Sequence, residues 1–177
     1  MYKQLQIISL FFLLIACSSS KLSSGKDRKV DWKKISVLVY TKNGKGYIHD
    51  NIAAASACIV RLGKQYGFKV DISDNPADFS EAGLSKYQVL VFNNTNNDVF
   101  DNDDQKIALM RYIQAGGGFV GLHSATGTER SWAWFKRLIG ASFQRHAKHQ
   151  PFREIIIDAA NPSVSFLPHT WEQNDEC

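Results

Sequence analysis

The chain has 177 residues, 44% hydrophobic and 21% charged. That suits one folded domain with a core needing no staples, and excludes a collagen-like, disordered or multi-pass membrane protein. The net charge of +4 does not mark a nucleic-acid binder: residues 1–34 hold seven Lys/Arg against two Asp, leaving fourteen basic and fifteen acidic side chains on residues 35–177, so the excess sits in the leader and not on the fold.

The first 17 residues follow the plan of a signal peptide. Lys3 opens it, and the apolar run Ile7 to Ala16 is shorter than the roughly 20 residues that span a bilayer as a helix. It ends Leu14-Ile15-Ala16-Cys17, similar to a bacterial lipobox, in which Cys17 becomes an acylated N-terminus that anchors the protein to the cell-envelope membrane. An ordinary secretory leader with an incidental Cys17 is the alternative. Residues 18–33 read as a polar, flexible tether, and residues 34–177 as the domain. Export also places the domain away from ATP and NAD pools.

Ile35 to Tyr40 is a near-continuous apolar run, as expected of a strand buried on both faces. The loop Gly44 to His49 follows, then a helix from about Asp50 to Tyr66, with Ile52, Ala55, Ile59, Leu62 and Tyr66 at helical spacing and Gly67 as its stop. Cys58 lies in this helix and reads as a small core residue; Cys17, Cys58 and Cys177 show no C-x-x-C spacing. Phe68 to Ile72 alternates as a second strand, Asp78 to Leu84 is a loop-helix passage, and Val89 to Phe92 is a third strand, before the polar loop Asn93 to Asn97. Asn102 and Gln105 form a capping box, opening a helix with Ile107, Leu109 or Met110, and Ile113 inward. Phe119 to Leu122 is a fourth strand, Trp132 to Ile139 a helix, and Arg153 to Ile157 a further strand. Alternating strands and helices predict a parallel sheet with helices on both faces, whose ligands sit beyond the carboxyl ends of the strands. That nominates the loops Gly44 to His49, Asn93 to Asp98 and His123 to Glu129.

His123 directly follows the glycine-rich fourth strand, a strand-to-helix turn of the kind hydrolases use to present a nucleophile. Here the presented group is an imidazole, suited to proton transfer or metal ligation. Ser124 lacks a Gly-x-Ser-x-Gly context. His49 could join His123 or simply cap its helix. His146 and His149, if helical, share one face as a metal pair could. Glu129, Asp175 and Glu176 could supply an acid or base, but each alone reads as a solvated charge. Trp132, Trp134 and Trp171 could stack on a sugar or belong to the core. No P-loop and no Gly-x-Gly-x-x-Gly is present, so phosphoryl transfer and dinucleotide chemistry have no support.

Together, Gly46-Tyr47-Ile48-His49, Val91-Phe92-Asn93-Asn94-Thr95, Gly116 through Ala125, Trp132-Ala133-Trp134-Phe135, Leu138-Ile139-Gly140, Leu167-Pro168 and Trp171 resemble the ThuA-like (trehalose utilisation) family across about residues 35–176. The resemblance implies an α/β, flavodoxin-like three-layer sandwich, similar to class I glutamine amidotransferases but with His123 where those enzymes carry a cysteine. It implies a carbohydrate-active enzyme on disaccharides such as trehalose or their keto derivatives, by acid-base or metal-assisted chemistry, with small sugars as partners. His123, His49 and Glu176 are then the catalytic candidates. Asn93, Asn94, Ser124, Trp132 and His146 are the substrate-binding ones, and His49, His123, His146 and His149 could hold a divalent metal. A non-catalytic carbohydrate-binding lipoprotein is the second reading. Relatives carry His-Pro where Asn161-Pro162 stands and continue past Asp175-Glu176, so the domain is expected to be truncated at its C-terminus.

Overall fold

The structure is a computed structural model that describes residues 30–175, and the fold is that of the unit from Trp32 onward. The leader with Cys17, most of the tether, and Glu176 lie outside the described residues. Among the described residues no helix is long and apolar enough to cross a membrane.

Four parallel strands form the main sheet. They are β1 (Ser36–Tyr40), β2 (Lys69–Ser73), β3 (Val89–Asn93) and β4 (Gly118–Leu122), in the order β2-β1-β3-β4. Val39 pairs with Ile72 on one side and Val91 on the other, and Val91 in turn with Val120. This is the flavodoxin-like order, and it reverses between β1 and β3. Helices α1 (Ile52–Tyr66), α2 (Glu81–Leu84), α3 (Asp103–Gln114) and α4 (Ala133–Ile139) follow successive strands.

The two-residue period of a strand divides the core. Val37, Val39 and Val91 point to the α1 side, where they meet Ile59, Phe68 and Val70. Leu38, Tyr40, Leu90 and Phe92 point the other way, against Phe79, Leu84, Leu109 and Phe135. The second layer is strongly aromatic: Tyr40 and Phe79 meet at 4.6 Å and Phe79 and Phe100 at 4.8 Å, both edge to face. Each such side chain contributes about 1.5–3 kcal/mol by burial. This is why β1 and β3 read as continuous apolar runs.

Helix α1 differs from its expected register. Leu62 and Tyr66 are exposed, Cys58 is half-buried, and the buried residues are Ser56 and Gly63. The reason is close approach: a Cβ at Gly63 would stand 2.8 Å from Val70 Cγ2 and 2.9 Å from the Phe68 carbonyl oxygen. Gly67 ends the helix at φ 94°, its N–H donating to the Gly63 carbonyl.

In α3 the Asn102 side chain accepts from Gln105 N as expected, but Gln105 reaches back to Asp101 N, at 2.8 Å, one residue earlier than a capping box requires. Leu109, not Met110, takes the buried inward place, and Ile107 is 42% exposed, flanking a stripe of Gln105, Ala108, Leu109, Tyr112 and Ile113.

The strand expected at Arg153–Ile157 does not join the parallel sheet. It forms β5 (Gln150–Ile155), which pairs antiparallel with β6 (Thr170–Asp175) in a separate two-stranded ribbon. Its residues lack the apolar run of a strand covered on both faces. Their side chains pair across the ribbon instead, Arg153 with Glu172 at 3.1 Å and Gln173 with Glu154 at 3.3 Å.

Candidate functional site

The carboxyl ends of β1, β3 and β4 share one edge of the sheet, and the loops that follow them are joined. Asn43 bridges Asn96, and Asn97 bridges Thr128. Gly44 N donates to Asn96 O at 2.8 Å, and Glu129 N to Asn97 O at 3.0 Å. A Cβ at Gly44 would stand 2.5 Å from Asp98 O, so only glycine lets the first loop press this closely on the second. Thr95 and Thr128 add a buried hydroxyl pair at 2.7 Å.

Glu129 is buried, not solvated. One carboxylate oxygen accepts from Val99 N at 2.9 Å and Phe100 N at 3.3 Å, and the other lies 3.2 Å from Lys106 Nζ. It is a clamp for the loop after β3. Tyr40 serves the same loop, its phenol donating to Val99 O at 2.6 Å. Burial, and then the charge of Asp101, push its pKa far above the usual phenol value, so it stays a donor.

Among the described residues, four non-glycine residues have left-handed backbone: Asn94 (φ 53°), Asn97 (56°), His123 (50°) and Glu129 (46°), all in this loop cluster. Asparagine and histidine enter that region more readily than most residues, whereas Glu129 holds it at a cost of about 1–3 kcal/mol. Strain of this kind concentrates at functional sites. At His123 it turns the chain sharply from β4 into the 3-10 turn His123–Gly127, and leaves the imidazole exposed.

The His123 ring stands nearly perpendicular to that of His49, with centroids 4.4 Å apart, and His49 in turn lies edge-on to Tyr47 at 4.9 Å. On its other side His123 Nδ1 lies 2.8 Å from Asn94 Oδ1. A cavity of about 880 Å³ opens above the two imidazoles, in the size range of small-molecule sites. Its walls include Tyr47, His49, His123, Ser124, Arg130 and His146, and Glu154 and Asp175 from the ribbon. A second cavity, about 560 Å³, lies wholly on the ribbon around the mutually paired Arg153 and Glu172.

The structure thus gathers His49, His123, Ser124 and His146 around one cavity. The Ser124 hydroxyl oxygen is buried and has no hydrogen-bond partner among the described residues. Residues 141–149 are not helical, so His146 and His149 share no helix face; His146 Nδ1 sits 2.9 Å from its neighbour's carbonyl, and His149 does not line the cavity. Among the described residues, no three His, Cys, Asp or Glu side chains converge as metal ligands, although His49 and His123 stand adjacent. Asn93 and Asn94 are buried beneath His123 and do not line the cavity. Trp132 is half-buried against the core, stacked on Trp134 at 5.0 Å and capped by Lys106 Nζ at 5.7 Å. Trp171 is on the ribbon outside the cavity.

Arg130 escaped the sequence reading. Its Nε donates to Gly127 O at 3.1 Å and its Nη2 to Asn96 Oδ1 at 3.2 Å, and its guanidinium lies over Phe143. Its one sequence signal was its place directly after the third ligand-side loop.

A solved structure of a ThuA-like protein from Bacteroides uniformis superposes with a TM-score of 0.66 at 20% identity, covering 85% of this chain. This chain spans 62% of the length of that one. No curated protein matches. The family model for ThuA, trehalose utilisation, matches residues 36–177. With its parallel sheet, its order β2-β1-β3-β4 and a match over most of its length, the chain belongs to the ThuA family.

Proposed function

We propose that this protein is an exported, lipid-anchored member of the ThuA family that acts on disaccharides such as trehalose or their keto derivatives, with His123 as the acid-base centre. The observation that carries the reading is His123 itself. It is an exposed imidazole on a left-handed turn at the carboxyl end of β4, hydrogen-bonded through Nδ1 and opening on a cavity of about 880 Å³. An imidazole held this way can take a proton from a sugar hydroxyl or from a carbon beside a carbonyl and return it to a leaving oxygen.

The neighbouring groups have roles that fit a polyol. His49 flanks the reacting position, Ser124 offers a hydroxyl without a protein partner, and Arg130 and His146 offer donors on the wall. Glu154 and Asp175 face them as acceptors, and Glu176 follows Asp175 directly in the chain. His49 and His123 could together hold a divalent metal, which would supply polarisation of a carbonyl or hydroxyl oxygen. Lipid attachment at Cys17 would keep the domain at the cell envelope, where such sugars arrive.

The test is turnover of trehalose and of 3-keto-disaccharides by the full chain and by His123→Ala, with metal content measured on the same samples. Turnover by the parent that is lost in the variant supports the reading, and equal rates refute it. Calorimetric binding of the sugars without any turnover would make the protein a carbohydrate-binding lipoprotein instead.

A further inference from the structure

Resting on the reading of His123 as the proton-handling group, we propose that Asn93 and Asn94 are positioning residues: they fix neutral His123 as its Nδ1–H tautomer and leave the Nε2 lone pair for the ligand. The argument starts from an atom that can only accept. Asn93 Nδ2 lies 3.0 Å from the carbonyl oxygen of Ile52 and 2.9 Å from Ser56 Oγ. A carbonyl offers no proton, so the amide group facing it must be the NH2. The other end of the Asn93 amide is therefore its oxygen, and it accepts from Asn94 Nδ2 at 2.7 Å. That in turn makes the remaining end of Asn94 an oxygen. It lies 2.8 Å from His123 Nδ1, which must then carry the hydrogen.

The chain Ile52–Asn93–Asn94–His123 thus passes one choice of direction from a helix backbone to an imidazole. Each link is secured locally. Ile52 and Ser56 lie on the first turns of α1, and Ser56 is buried on its inner face. Asn93 is the last residue of β3, and Asn94 takes the left-handed turn that follows. Both asparagines are fully enclosed, at 0% and 1% exposure, so no bulk water competes for their amide groups.

The consequence is an order of events. A neutral imidazole free in water prefers its proton on Nε2; here that preference is reversed. His123 therefore begins as a base. A substrate C–H or O–H bond breaks, its electron pair stays on the substrate, and the proton forms a new bond to Nε2. The resulting imidazolium still donates from Nδ1 to Asn94. This suits proton abstraction from a carbon beside a carbonyl, hence a keto sugar, and does not suit protonation of a glycosidic oxygen as the first step.

The test reads the tautomer directly. The full chain is labelled with 15N-histidine, and long-range proton–nitrogen correlations are recorded at alkaline pH, where imidazoles are neutral. His123 is identified by the resonances lost in His123→Gln. The expected pattern is a protonated Nδ1 and an unprotonated Nε2, reversing to a protonated Nε2 in Asn94→Ala and in Asn93→Ala. A protonated Nε2 in the parent protein, or an Nδ1–H pattern unchanged in both variants, overturns the proposal. Should neither variant fold, the parent spectrum decides alone. On a turned-over sugar, Asn94→Ala lowers kcat at least tenfold with KM little changed. Because the spectrum needs no substrate, absence of turnover with an intact Nδ1–H would sink the sugar reading alone, and Nε2–H in an active enzyme this inference alone.

Discussion

His123 was legible as a residue because its signal is local. A strand of Gly118-Phe119-Val120-Gly121-Leu122 followed at once by a histidine marks a turn that presents a side chain, and the structure gives that turn φ 50°. Replacing His123 with Ala should lower kcat/KM by about 10²–10⁴-fold, the range for a lost acid-base group, as measured on whichever disaccharide is turned over. Glu129 was not legible. Nothing in Thr128-Glu129-Arg130 announces that the carboxylate folds inward to meet Val99 N, Phe100 N and Lys106. Replacing Glu129 with Ala leaves two buried N–H groups unmatched and takes from Lys106 its nearest carboxylate. It should destabilise the protein by about 3 kcal/mol in a denaturant titration; a change below about 0.5 kcal/mol would show that the clamp is idle.

At the scale of elements, periodicity located strands and helices well but misjudged which face α1 buries. The pattern for α1 favoured its largest apolar residues, whereas the helix approaches the sheet through its smallest ones, Ser56 and Gly63. In an exposed helix, Gly to Ala stabilises by about 1 kcal/mol. Gly63→Ala should instead lower stability by about 1–3 kcal/mol, because its methyl would meet the Phe68 carbonyl and Val70; a raised Tm would contradict the close approach. The cap of α3 was read correctly in kind, and Asn102→Ala should cost about 1 kcal/mol. A strand near Arg153–Ile157 was expected but its antiparallel partner was not, because strand propensity carries no information about which partner a strand will find. The mixed polar and apolar residues of Gln150–Ile155 suit an exposed two-stranded ribbon, and pairing with Thr170–Asp175 is a tertiary event.

For the whole molecule, buried phenols couple folding to alkaline pH. Burial, then a hydrogen bond to Asp71, push Tyr87 up to about 12, and burial does the same for Tyr112, against about 10 for an unfolded tyrosine. The folded state holds these protons more tightly. Their stabilisation is therefore complete below about pH 10 and is lost as the pH rises from there towards about 12. A Tyr87→Phe, Tyr112→Phe double variant should show a shallower fall of stability across that window, followed by circular dichroism; parallel slopes would show that the phenols are not coupled to folding. The sequence by itself determined the class of fold and the family, and it nominated the three loops and the histidine of the candidate site. All of these depend on patterns within single strands, helices and turns and on their order along the chain. Only the tertiary structure decided that Asn93 and Asn94 lie beneath His123, that Trp132 packs against the core, and that His49 stands against His123. Those relations depend on the register of β3 against β4 and on the closeness of α1 to the sheet, and they arise where separate segments meet.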